Sequence, residues 1–316
     1  NTMASMLIPS SGATADAYLC MNTKYFILLC VATPLAAVAQ ISYTGGTYTQ
    51  DFNTLNSDSI YTYYTNLPAG WAIKAIQNSY VWTPVTNGYS GNYGVYCFSL
   101  NSSAADKSIG IVQGSTGVSY LGARIHNATG VPLTSFSLSY FEKQWAKGAV
   151  TSTDQTIPFS YSLDATNLTS GTYVSVPLLD MHSINDGDGI FAALDGNAIS
   201  NQQLITSTVS GVSWLPNQDL WIRWSGVSHP FTQSHAMAVD DVVFSAVPEI
   251  QIMAASPTHF RILWPTNYPG YTLRSALTPT PTSWDTVTNI PVIVGGEFDV
   301  EIDATEALRF FRLESQ

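Results

Sequence analysis

No window of ten residues after Gln40 carries apolar side chains at a helical period. The chain instead repeats a two-residue alternation in short runs. Thr134 to Phe141 reads T-S-F-S-L-S-Y-F, in which Phe136, Leu138 and Tyr140 alternate with Ser135, Ser137 and Ser139. Side chains along a strand point to opposite faces in turn, so this segment reads as a half-buried strand with one solvated face. Ile157 to Leu163 repeats the design through Ile157, Phe159, Tyr161 and Leu163. Strand-breaking clusters stand between such runs: Pro68-Ala69-Gly70, Asn87 to Gly94, Asn185 to Gly189 and Asp195-Gly196-Asn197. Many short strands at this spacing predict an all-β chain, an antiparallel two-sheet jelly-roll sandwich. Gly45-Gly46, between two alternating runs, predicts a hairpin or a bent edge strand. Asn201 to Ile205 reads as one short helical turn.

The residues that make the surface polar narrow the class further. Charged residues are only 10% of the chain and aromatics 12%, so Ser, Thr, Asn and Gly supply the polarity. Helix-rich cytosolic enzymes bring Lys, Glu and Ala instead, and this balance fits an exported β-protein. The net charge is −11, and from Gln40 onward there are four lysines and six arginines without a basic run. That excludes a nucleic-acid surface, which needs clustered cations. Met21-Asn22-Thr23-Lys24, the apolar run Tyr25 to Ala32 and Ala37-Val38-Ala39 form a signal peptide over 21–39, with residues 1–20 an upstream extension. The expected mature chain starts at Gln40 and divides at about 247. Residues 40–247 form the jelly roll. Residues 248–316, with seven prolines and their own strand set, form a small C-terminal β-module. No membrane span is expected. Of the three cysteines only Cys97 remains after the leader, in the strand-like V-Y-C-F-S-L, where it reads as a buried small hydrophobe.

Chemistry is sparse. There is no G-x-S-x-G, H-E-x-x-H, Walker loop or dinucleotide fingerprint, and the five histidines show no paired spacing. Between Gln40 and Val247 the single glutamate is Glu142, a weak catalytic candidate, because glycoside hydrolysis requires two carboxyl groups. In H-A-M-A-V-D-D-V-V-F, alternation places Asp241 with Val239 and Val243, and Asp240 with Ala238, Val242 and Phe244. One carboxylate therefore lies among apolar neighbours and needs a metal, an arginine or backbone N–H groups. Arg223 and Arg124 are the arginines expected within reach. Aromatic and amide side chains suit sugar binding, and Trp82, Tyr89, Asn92, Tyr93, Gln144 and Trp145 are the candidates. Each also has a reading as core packing.

The set Y-T-Q-D-F-N-T-L, L-P-A-G-W, L-G-A-R-I-H-N-A-T-G, S-L-S-Y-F-E-K-Q-W, L-D-G-N-A-I-S-N, L-W-I-R-W and H-A-M-A-V-D-D-V-V-F-S resembles a family of exported bacterial jelly-roll domains. These are related to concanavalin-like and carbohydrate-binding sandwiches. R-I-L-W-P-T-N-Y-P-G-Y-T-L-R-S and L-R-F-F-R-L resemble a small β-module at the C-termini of such surface and secreted proteins. The resemblance implies an extracellular or cell-surface sandwich. It also implies a structural calcium between the first and last strands, for which Asp51, Asn53, Asp240 and Asp241 supply hard oxygen ligands. Glucanases on related sandwiches carry E-x-D-x-E on one strand, where this chain has F-E-K-Q-W. The expectation is a non-catalytic protein that binds a polysaccharide or cell-surface glycan, or acts in adhesion. Two alternatives stand: a secreted polysaccharide-degrading enzyme using Glu142, and a structural envelope spacer.

Overall fold

The computed structural model describes residues 39–55, 67–76, 80–86, 93–101, 104–113, 117–149, 155–185, 189–226, 234–268, 270–304 and 308–315. Residues 1–38, which hold the expected upstream extension and all but the last residue of the expected leader, lie outside them, as do Tyr89 and Asn92. The described chain is all-β, two sheets packed face to face as a jelly-roll sandwich. One sheet runs from Trp71–Ile76 and Ile41–Tyr43, both on one edge of Val118–Asn127, through Asp219–Gly226 and Phe159–Ser162 to Val174–Ser175. The other runs from the edge strand Gln202–Trp214 through Leu133–Lys147 and Ala236–Pro248 to Ser108–Val112, Gly94–Phe98 and Tyr80–Thr86. Pairing is antiparallel except at two places, Ile41–Tyr43 on 125–127 and Tyr80–Thr86 on 94–98.

The Gly45-Gly46 turn does not make a hairpin. Ile41–Tyr43 belongs to the first sheet, while Thr47–Gln50 pairs with 242–245 in the second. The chain bends between sheets there because both glycines take positive φ, 102° and 78°. The helical turn also moves: Ile199–Asn201 is a short 3₁₀ turn, and residues 202–205 already belong to the edge strand.

The alternation read from the sequence builds the core. Phe136, Leu138 and Tyr140 are fully buried between the sheets, with Phe159, Trp224 and Trp71 of the first sheet opposite and Phe244 and Trp214 beside them on the second. Trp71 stacks on Trp224 at 6.3 Å, and Tyr140 meets the edge of Trp224 at 5.1 Å. Aromatic pairs in this geometry add about 0.5–1.5 kcal/mol each beyond the area they bury. Cys97 is buried and forms no disulfide.

After Pro248 the strands form two sheets of their own. Gln251–Ser256, His259–Pro265, Glu297–Asp303 and Val292–Val294 make one, and Asp285–Thr286, Tyr271–Ala276 and Phe310–Ser315 the other. Trp264, Tyr268 and Tyr271 join the core of the sandwich. The Tyr43 hydroxyl ties the join, since it accepts from Ala246 N–H at 2.8 Å and donates to Gly46 O at 2.7 Å. Burial raises its pKa.

Candidate functional site

The Asp-Asp pair departs from simple alternation. Met237 and Val239 face the core, and so do Val242, Phe244 and Ala246, so the parity of the strand flips between 239 and 242. The pairing register with Leu133–Lys147 shifts at this point, and Asp241 adopts φ 45°. This is a β-bulge whose extra residue occupies the left-handed region that aspartate tolerates better than most side chains. Asp240 therefore does not share a face with Val242 and Phe244. It points with Ala236 and Ala238 to the outer face, into a second cluster with Tyr96, Phe98, Val112 and Trp145. Asp241 is exposed, and its N–H bonds Asp240 Oδ1 at 2.8 Å.

The partner of Asp240 is neither arginine expected for it. Both arginines lie on strands of the opposite sheet: Arg124 pairs with Asp219, and Arg223 donates to Leu168 O beneath the ring of Tyr173. Lys143, on the strand adjacent to Asp240, takes the role. Its Nζ lies 2.6 Å from Asp240 Oδ2, 2.9 Å from Asn197 Oδ1 and 3.1 Å from Asp106 Oδ2. Lys143 is 3% exposed and Asp240 0%. Burial pushes Asp240 up to about 7, against the pull of Lys143. Desolvation lowers the Lys143 pKa, but the hydrogen bonds and charges of Asp240 and Asp106 outweigh it and leave the pKa raised. The signal in the sequence was the lysine of F-E-K-Q-W, noted only as a missing acid.

Of the four expected calcium ligands, two have partners of their own. Asp240 is committed to Lys143, and Asn53 accepts from Lys107 N–H at 2.8 Å. Asp51 and Asp241 do line one recess of about 370 Å³ beside the bulge. Among the described residues no three His, Cys, Asp or Glu side chains gather as a metal group. An ammonium already neutralises the buried carboxylate. We therefore expect chelation with EDTA to leave the thermal midpoint unchanged, and a fall of several degrees would assign an ion to Asp51 and Asp241.

The remaining candidates are largely enclosed. Glu142 is fully buried, and its Oε2 accepts from His182 N–H at 3.2 Å and Gln203 Nε2 at 2.9 Å. It faces no open groove in which a glycosidic bond could lie. Gln144 spends its amide on Asn185, Ile184 and His235. Trp145 stacks on Phe98 at 6.1 Å and donates to Ser108 Oγ at 2.8 Å. Both are 0% exposed, so neither offers a surface to a ligand, and the core-packing reading holds for them. Tyr93 is partly buried against the same cluster. Trp82 lies on the strand Tyr80–Thr86, with its side chain outside the described residues.

A larger groove is lined by none of these residues. It measures about 780 Å³ and lies between the outer face of the second sheet and the strand Phe310–Ser315. Its floor is a hydroxyl surface. Ser245, Ser137 and Thr208 stand in one row across three paired strands, with Ser137 Oγ and Thr208 Oγ1 at 2.7 Å. Ser135 and Ser210 follow in the next row. The wall carries Arg312 and Glu314, joined at 2.9 Å, and Arg274 holds the other Glu314 oxygen at 2.7 Å. Arg312 also lies 4.5 Å from the ring centre of Trp284. The solvated serines of T-S-F-S-L-S-Y-F were legible as polar, but not their alignment with β-residues more than seventy positions away.

No family model and no curated protein matches the sequence. Solved structures similar to it include a CBM61 module in complex with β-1,4-galactotriose, at 9% identity and a TM-score of 0.30, over 63% of this chain and 94% of that one. A CBM22-2 xylan-binding domain of Paenibacillus barcinonensis Xyn10C aligns at 12% identity and a TM-score of 0.32, over 63% and 99%. A family 11 carbohydrate-binding module from Clostridium thermocellum aligns at 14% and 0.28, over 66% and 99%. None of these matches assigns a ligand to this chain. Among the described residues no helix is long and apolar enough to cross a membrane.

Proposed function

We propose that this is an exported, non-catalytic protein that binds a neutral polysaccharide or cell-surface glycan in the groove between the sandwich and the strand Phe310–Ser315. The observation that carries the reading is the composition of that groove. A sugar presents hydroxyls that both donate and accept, and Ser135, Ser137, Thr208, Ser210 and Ser245 answer with groups of the same kind. Arg312 and Glu314 add a donor and an acceptor at the wall, with their charges already balanced. Phe311 and Val247 supply apolar contact for a ring face. The enclosure of Glu142 supports binding rather than hydrolysis.

A glycan array probed with the full chain tests this. Binding to one class of neutral glycan is expected, and Arg312→Ala should weaken it about tenfold, the equivalent of one charged hydrogen bond. Tyr93→Ala should leave it unchanged. Binding to no glycan would remove the lectin reading and leave a spacer role.

A further inference from the structure

The buried contacts of Lys143 resemble a reaction complex more than a resting ion pair. Its Nζ touches a carboxamide, Asn197 Oδ1 at 2.9 Å, and a buried carboxyl, Asp240 Oδ2 at 2.6 Å; Lys143 and Asp240 are enclosed and Asn197 is partly exposed. The turn that carries Asn197 is locked in position. Gly196 lies flat against Trp145, where a Cβ would come within 2.4 Å of the indole, and Asn197 N–H bonds Asp195 Oδ1 at 2.9 Å. The main-chain carbonyl of Asn197 accepts from Gln202 Nε2 at 3.2 Å, which further fixes the turn. An amine, an amide carbon and a proton carrier are thus fixed together by three separate parts of the fold.

We propose that Lys143 and Asn197 form an intramolecular isopeptide bond, with Asp240 carrying the protons. Asp240 takes a proton from the Lys143 ammonium, and the freed amine attacks Asn197 Cγ. The Nζ–Cγ bond forms and the Cγ–Nδ2 bond breaks. Asp240 passes its proton to the departing nitrogen, which leaves as ammonia, and takes the remaining surplus proton from Nζ. The product is a neutral secondary amide beside a neutral carboxylic acid, so no oxidant or cofactor is needed and both buried charges disappear. Desolvation, which pushes Asp240 up to about 7, favours that neutral acid. Asp106, whose side chain is 48% exposed, holds the ammonium from the solvent side before the reaction and is not consumed. The bond would staple the strand Leu133–Lys147 to a turn 54 residues away, in a domain whose Cys97 forms no disulfide.

The test is peptide mapping by tandem mass spectrometry on the purified, denatured full chain. One branched peptide joining the Lys143 and Asn197 segments, lighter than their sum by one ammonia, is expected. Intact mass alone does not decide, because cyclisation of an N-terminal glutamine also loses ammonia. Asn197→Asp should keep the cross-link with loss of one water instead. Asp240→Asn should leave the two peptides separate in a chain that still shows a folded near-UV spectrum. Asn197→Ala should abolish the link and lower the thermal midpoint by on the order of 10 °C, as expected for opening a loop of this length. Recovery of the two peptides separate and unmodified from folded wild-type protein would overturn the proposal. So would a cross-link from Lys143 to Asp106 or Asp240.

Discussion

Replacing Lys143 by methionine is expected to destabilise the fold by about 3–5 kcal/mol at pH 8 and by clearly less at pH 5. The substitution keeps most of the side-chain volume on the outer face of the second sheet and removes only the ammonium. Asp240, fully enclosed, then has no counter-charge, which is the costly way to break a buried pair. The sign of the pH dependence follows from Asp240. Its folded pKa of about 7 lies above the usual aspartate value of about 4. Its contribution to stability is complete below about pH 4 and is lost as the pH rises through 7. Without Lys143 the downward pull on Asp240 is gone, so the loss deepens and extends above pH 7. This sign belongs to the chain in which Lys143 is a free ammonium; where Lys143 is joined to Asn197 the wild type lacks that charge as well, and the substitution then costs the cross-link equally at both pH values. Denaturant unfolding of Lys143→Met at pH 5 and pH 8 measures it, and the double variant with Asp240→Leu should recover the pH-dependent part. Equal losses at the two pH values in a chain without the cross-link would show that Asp240 is not the group exposed by the change.

Inserting one glycine after Asp241 is expected to abolish cooperative folding, whereas Asp241→Gly is expected to be tolerated or mildly stabilising. Asp241 is the extra residue that lets Val239 and Val242 both face the core. One further residue at this point would turn Val242, Phe244 and Ala246 to the outer face while Val243 and Ser245 entered the core. Phe244 alone packs against Tyr43, Phe136 and Trp214. Losing one such buried aromatic costs about 3–5 kcal/mol, and the insertion displaces three inward positions together. Glycine at 241 keeps the count and adopts φ 45° more readily than aspartate. Thermal unfolding followed in the near-UV distinguishes the two variants; a cooperative transition in the insertion variant would mean that the bulge does not set the register.

Much of the fold was legible because it is local. Phe136, Leu138 and Tyr140 announce a buried face within one run of eight residues, and the structure buries all three. Cys97 between strand formers reads as core for the same reason. The site was less legible. Alternation placed Asp240 with Val242 and Phe244, and a single left-handed residue reverses that arrangement without leaving a mark in the composition. Trp145 and Gln144 have the chemistry of sugar-binding side chains. Only their cover, Gly196 over the indole and the backbone of Ile184 and Asn185 around the amide, makes them structural.

The sequence by itself determined an all-β chain with polar, weakly charged faces, because strand alternation and turn chemistry act between neighbours. The tertiary structure alone decided which cation meets Asp240 and which hydroxyls form the groove floor. Those partners are set by strand register across the sheet. Lys143 lies 97 residues from Asp240 and Thr208 lies 71 from Ser137, and register is a property of pairing that no single strand carries.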